Sequence, residues 1–215
     1  MSTRNDLHGN VPDDSEIALL LVDVINDLEF EGGDRLLAHA QEMVPRLVAL
    51  KRRCKEAGVP SIYVNDNFGH WRSDFRRLVR HCQDDHVRGE GLAVALAPEE
   101  EDYFILKPKH SAFYATALEL LLRHLGAKTS ILTGLTGDNC VLFTAHDAYL
   151  RDYDLVVPCD CIASIDPAHN GAAIEYMQRV LKVDARPSDQ IDLARFATKR
   201  ASHRKTSRHK RSCER

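Results

Sequence analysis

What this chain lacks narrows what it can be. No segment approaches the roughly 20 apolar residues of a membrane helix, so no membrane partner is expected. The first 16 residues, Met1–Glu16, are polar and acidic, without the apolar centre of a secretory leader, which gives a cytoplasmic expectation. The six cysteines have none of the spacing of a disulfide framework, and a domain of this size does not need one. Neither glycine-rich phosphate loop pattern occurs, and no cofactor is expected. Cys159-Asp160-Cys161 is a CxC without a second ligand pair, so a zinc site is disfavoured. The eleven histidines are scattered; His203 and His209 lie near the C-terminus, and His146 faces helix neighbours.

What is present suits one folded domain: 215 residues, 44% hydrophobic and 28% charged. The net charge of −3 conceals an asymmetry, because Lys199–Arg215 carries eight Lys/Arg against one Glu and leaves the body near −10. That terminal stretch is almost without apolar residues and builds no core. The division is therefore a domain over residues 1–195 and a basic, disordered tail over 196–215. The tail is able to contact nucleic acid or an acidic partner; a solvated tail with no specific partner is the favoured reading.

Apolar periodicity gives the fold class. Ile17–Val22 is a continuous apolar run, as in a parallel strand covered on both faces. Further strands are expected at Ser61–Asn65, Tyr103–Leu106 (reaching Lys107), Ser130–Thr133, Leu155–Pro158 and, sixth, Val183–Ala185. Helices are expected within Arg35–Ala57, at Trp71–Cys82, Thr116–Leu125 and Asn139–Arg151, and from the Asp166 cap and Pro167 to about Lys182. Leu92–Pro98 is ambiguous. The alternation predicts βαβ units: a three-layer α/β sandwich with a mainly parallel six-stranded sheet flanked by helices.

Ligands of such sheets bind beyond the carboxyl ends of the strands. There stand Asp23 after the first strand, Asn65-Asp66-Asn67 after the second, Lys107 at the third, and Cys140 beyond the fourth. Cys140 opens a helix, where unpaired N–H groups and the helix dipole favour thiolate and lower a cysteine pKa. The alternative is a small buried residue packed under the helix. Asp23 suits a proton acceptor for that thiol, or else a cap or loop carboxylate. Lys107 suits an ammonium that stabilises negative charge; a surface lysine is the commoner fate, and Lys109 competes for the role.

These residues in order, Asp23 in LLLVDVINDLEF, Lys107 in ILKPKHSAF and Cys140 in GLTGDNCVLFTAHDA, resemble the isochorismatase-like cysteine hydrolase superfamily. The similarity spans about Ile17 to Ala185. It implies a catalytic set of Asp23, Lys107 and Cys140, a homo-oligomer, and hydrolysis of a small-molecule amide, carbamoyl or ureido compound through a thioester. It also implies a cis peptide between Leu135 and Thr136, with the backbone N–H groups of Thr136 and Cys140 forming an oxyanion hole. Two departures stand out. Many members carry Asp-x-Gln after the first strand, where this chain has Asp23-Val24-Ile25. Nicotinamidases carry an Asp-x-His metal motif where this chain has Asp66-Asn67-Phe68, so no metal is expected and nicotinamidase is disfavoured. Asp66, Asn67, Phe68, Trp71 and Phe113 are the candidate pocket residues; for the three aromatics, core packing is the alternative. The competing function is a weakly active or inactive fold serving as a binding or scaffold protein through its basic tail.

Overall fold

The computed structural model describes residues 14–67 and 74–194. The basic tail, and Phe68 and Trp71 among the pocket candidates, lie outside the described residues.

Strand β1 (Ile17–Val22) is buried along its whole length. It pairs in parallel with β2 (Ser61–Asp66) on one side and β4 (Thr129–Leu135) on the other. The apolar run has no alternation because both of its faces meet helices. Ile17, Leu19 and Leu21 join the core under α1 (Gly33–Ala57), whereas Ala18, Leu20 and Val22 join the core that includes Leu118, Leu122 and Leu125 of α4 (Leu118–Leu125). The sheet order is β3-β2-β1-β4-β5, with β3 at Tyr103–Lys107, β5 at Asp154–Val156 and all pairings parallel. The layers are completed by α2 (Phe75–Asp84), α3 (Glu90–Ala95), α5 (Leu142–Tyr149) and α6 (Pro167–Leu181). This is the expected three-layer α/β architecture. No helix among the described residues is long and apolar enough to cross a membrane.

Three local expectations change. The sixth strand is β6 (Ile162–Ala163), not Val183–Ala185. Ile162–Ala163 pairs with Gly134–Leu135 of β4, and the latter segment makes only a single bridge, Asp184 to Val156. Both are short apolar pieces that periodicity cannot tell apart; the free edge of β4 decides. Of the ambiguous stretch Leu92–Pro98, the first four residues belong to the short helix α3 and the rest lie beyond its end. The helix expected from Asn139 begins earlier, as a π-helical turn at Gly137–Val141 running into α5.

Candidate active site

The carboxyl ends of β1, β3 and β4 deliver three polar side chains to one point. β1 ends as its apolar run meets Asp23, which adopts a left-handed φ of +51°. Asp is among the few residues that take this conformation readily. The Asp23 N–H donates to the Val64 carbonyl, so the turn is anchored to β2. One carboxylate oxygen, Oδ1, accepts from the Asp66 N–H at 2.8 Å. The other, Oδ2, meets Lys107 Nζ at 2.8 Å.

Lys107 ends β3 and is fully buried. Its backbone carbonyl accepts from the Asn67 N–H. Besides Asp23, its ammonium has Asp66 Oδ2 at 3.7 Å and the Cys140 sulfur at 3.6 Å. Two residues on, Lys109 is exposed. β3 ends at Lys107, so Lys109 lies in the loop beyond it, where its side chain reaches solvent.

Cys140 sits in the π-helical turn, placed by close contacts on either side. Gly134, the penultimate residue of β4, has φ +106°, and a Cβ there would lie 2.1 Å from the Val22 carbonyl oxygen, so only glycine lets β4 approach β1 at this level. The Leu135–Thr136 peptide is cis. Ser164 Oγ accepts from the Asp138 N–H at 3.1 Å and donates to Asn170 Oδ1 at 3.0 Å, holding the first turn against α6. Thr144 Oγ1 donates to the Cys140 carbonyl at 2.7 Å and accepts from the Ala112 N–H at 3.0 Å. This hydroxyl joins the helix of the cysteine to the loop that follows Lys107.

The electrostatics correct one expectation. Burial pushes the Cys140 thiol up to about 12, and Asp23 adds to the shift, against the opposing pull of Lys107. The helix start does not win, because desolvation and a neighbouring carboxylate both penalise thiolate. Cys140 therefore rests as a thiol beside Asp23. Burial also pushes Asp23 up, against Lys107, Cys140 and the Asp66 N–H. Lys107 is pulled down by burial, yet Asp23 and Cys140 hold it above its ordinary value, so it stays an ammonium.

Asp66 and Asn67 border this cluster as expected from their place after β2. Phe113 does not. It lies in the core, with the Tyr153 ring 5.8 Å away and the Arg151 guanidinium over its face at 5.0 Å. One contact was missed in the sequence: His110 Nδ1 stands 3.8 Å from the Cys140 sulfur. The available signal was its position three residues after Lys107. Ser164 and Asn170 had none, since their role depends on how α6 docks.

The model of the isochorismatase domain matches residues 17–185. The chain belongs to the isochorismatase family. Family members include amidases. The chain is 41% identical over 174 residues to the uncharacterized isochorismatase family protein YaaI of Bacillus subtilis, covering 81% of this chain and 95% of that one. It is also similar to the crystal structure of N-carbamoylsarcosine amidase from Thermoplasma acidophilum, at 31% identity and a TM-score of 0.64, covering 82% of this chain and 99% of that one. A probable inactive nicotinamidase of Arabidopsis thaliana is 27% identical over 173 residues, covering 76% of this chain and 88% of that one. Among the described residues of this family member, no three His, Cys, Asp or Glu side chains group so as to hold a metal ion.

Proposed function

We propose that this chain is a cysteine amidohydrolase that cleaves the C–N bond of a small amide, carbamoyl or ureido compound without a metal. The observation that carries the reading is the buried Lys107 ammonium, 2.8 Å from Asp23 and 3.6 Å from the Cys140 sulfur. The similarity to N-carbamoylsarcosine amidase supports the substrate class.

The resting thiol dictates how the first step runs. With its pKa near 12, free thiolate is scarce at neutral pH. The proton moves to Asp23 as the sulfur bonds to the carbonyl carbon, in one motion. A carboxylate pushed up by burial is a better base than a surface carboxylate. Lys107 stabilises the charge that Asp23 and the sulfur exchange. The oxygen that becomes negative meets the N–H groups of Thr136 and Cys140 at the start of the helical turn. Collapse expels the amine, which takes the proton from Asp23, and water then cleaves the thioester. Asp66 and Asn67, at the rim, contact the substrate.

A second reading, a weakly active binding protein, is favoured by the relative named as probably inactive and by the protonated Cys140. An ammonia-release screen over small amides, carbamoylated amines and ureides separates the two. Release that disappears in Cys140→Ala is the expected result; a complete panel without Cys140-dependent release refutes the amidohydrolase.

A further inference from the structure

The Cys140 sulfur has several polar neighbours, and they differ in their access to water. Asp23 and Lys107 are buried, at 5% and 0% exposure. His110 is exposed, with Nδ1 3.8 Å from the sulfur. Its position is not that of a free loop. The Ser111 hydroxyl bonds the Asp147 carboxylate, and the Ala112 N–H bonds Thr144 Oγ1. The His110 ring lies 5.5 Å from the ring of Phe143. Phe143, Thr144 and Asp147 all belong to α5, which continues the turn carrying Cys140. Imidazole and sulfur are therefore mounted on one rigid unit.

Thioester hydrolysis makes two different demands on proton acceptors. Acylation takes the thiol proton, and the buried Asp23 is the carboxylate beside the sulfur that can receive it. Deacylation takes a proton from water, which arrives from solvent, where His110 is exposed and Asp23 is buried. We propose that His110 is a second catalytic residue, the general base for the water that hydrolyses the acyl-enzyme. The water oxygen bonds to the thioester carbonyl carbon while its proton passes to the imidazole. The C–S bond then breaks and its electron pair leaves with the sulfur. The imidazolium returns the proton across the 3.8 Å gap, which restores the thiol and neutral His110. No proton is gained or lost in the cycle, and no oxidant or further reactant is needed. This division of labour rests on the thioester reading above: a buried base serves acylation and an exposed base serves deacylation.

The test uses p-nitrophenyl acetate, which acylates a reactive thiol whatever the natural substrate. Full-length wild type, Cys140→Ala, His110→Phe and His110→Gln are compared. His110→Phe keeps a ring against Phe143 and removes the base. The expected result is that both His110 variants release nitrophenolate in a first phase within about twofold of wild type. Their acetyl group should then stay on Cys140, seen by intact mass, with decay slowed about 100-fold. Decay of the acetyl-enzyme at the wild-type rate in both variants overturns the role. So does a first phase slowed as much as the decay, which marks a positioning residue. Wild-type release unaffected by Cys140→Ala overturns the thioester reading itself, a different result from either of these.

Discussion

Strand β3 has a lysine–aspartate pair at each end, fully buried at one and partly buried at the other, and the two pairs do different things. Before its first residue, Asp102 Oδ2 meets Lys51 Nζ of α1 at 2.8 Å. At its last residue, Lys107 meets Asp23 at the same distance. Lys51 is otherwise surrounded by acceptors: Glu99 Oε1 and the Ala97 carbonyl, each at 3.4 Å, with the Tyr63 ring beneath it. Its neighbours are saturated, and the cluster ties α1 to the loop entering β3. Lys107 faces a thiol as well, at 3.6 Å, and that thiol borders the exposed His110. Burial of an ion pair is thus common to both ends; a nucleophile open to solvent on one side belongs to one. The lesson is that a buried pair alone does not mark an active site.

The most severe way to test this contrast is to remove the chemistry at the carboxyl end. Cys140→Ala and Asp23→Asn are each expected to lower turnover by about 10⁴-fold or more, and Lys107→Met by about 10³-fold, with far-UV circular dichroism unchanged. A Cys140→Ala protein with a tenth of wild-type activity would remove the nucleophile from its assigned place. At the other end the effect should move from rate to stability. Lys51→Met leaves the half-buried Asp102 without its ammonium and should cost about 1–2 kcal/mol, lowering Tm by several degrees. Turnover below the melting range should stay at the wild-type level; a large loss would mean that the two ends are not independent.

The protonation of Cys140 sharpens the contrast further. Its folded pKa is raised from an ordinary 9.0 to about 12. The native state then holds this proton more tightly than the unfolded chain, so stability falls as pH rises from about 9 toward about 12 and is unaffected by this group below that window. Iodoacetamide should label Cys140 before the fully buried Cys54 and Cys82. The rate should climb about tenfold per pH unit from pH 7 to 10. A plateau near neutrality would show that Lys107 outweighs burial and Asp23. Smaller still is the effect of Lys109→Ala. This side chain points away into solvent, and the change should alter turnover less than about twofold. A larger loss there than in Lys107→Met would assign the wrong lysine. No effect at all is expected from exhaustive EDTA, because Phe68 supplies no ligand where a metal-binding histidine would stand. Loss of activity that zinc or manganese restores would contradict the metal-free reading.

Much of this architecture was legible beforehand because it depends on local patterns. An unbroken apolar strand, Ile17–Val22, demands helices on both faces. Parallel strands in turn send their carboxyl ends to one edge, which places Asp23, Lys107 and the Cys140 turn together without any knowledge of contacts. The sixth strand was misplaced because Ile162–Ala163 and Val183–Ala185 look alike as short apolar pieces. Only the unfilled edge of β4 distinguishes them. Phe113 was left open for a related reason: an aromatic after a strand end suits a pocket or a core, and its packing against Tyr153 and Arg151 puts it in the core.

By itself, then, the sequence determined the strand order along the chain, the buried character of β1, and the three chemical groups at one sheet edge. Tertiary structure alone decided the proton on Cys140. A helix start favours thiolate locally, but burial and the nearness of Asp23 are properties of the assembled sheet, and they outweigh it. It also decided the place of His110. It lies three positions after Lys107 in the chain, yet what matters is that Ser111 and Ala112 clamp their loop to α5, which brings an imidazole beside a sulfur 30 residues further on. Periodicity reports which face of an element is buried; it carries no information on the long-range hydrogen bonds that aim a loop.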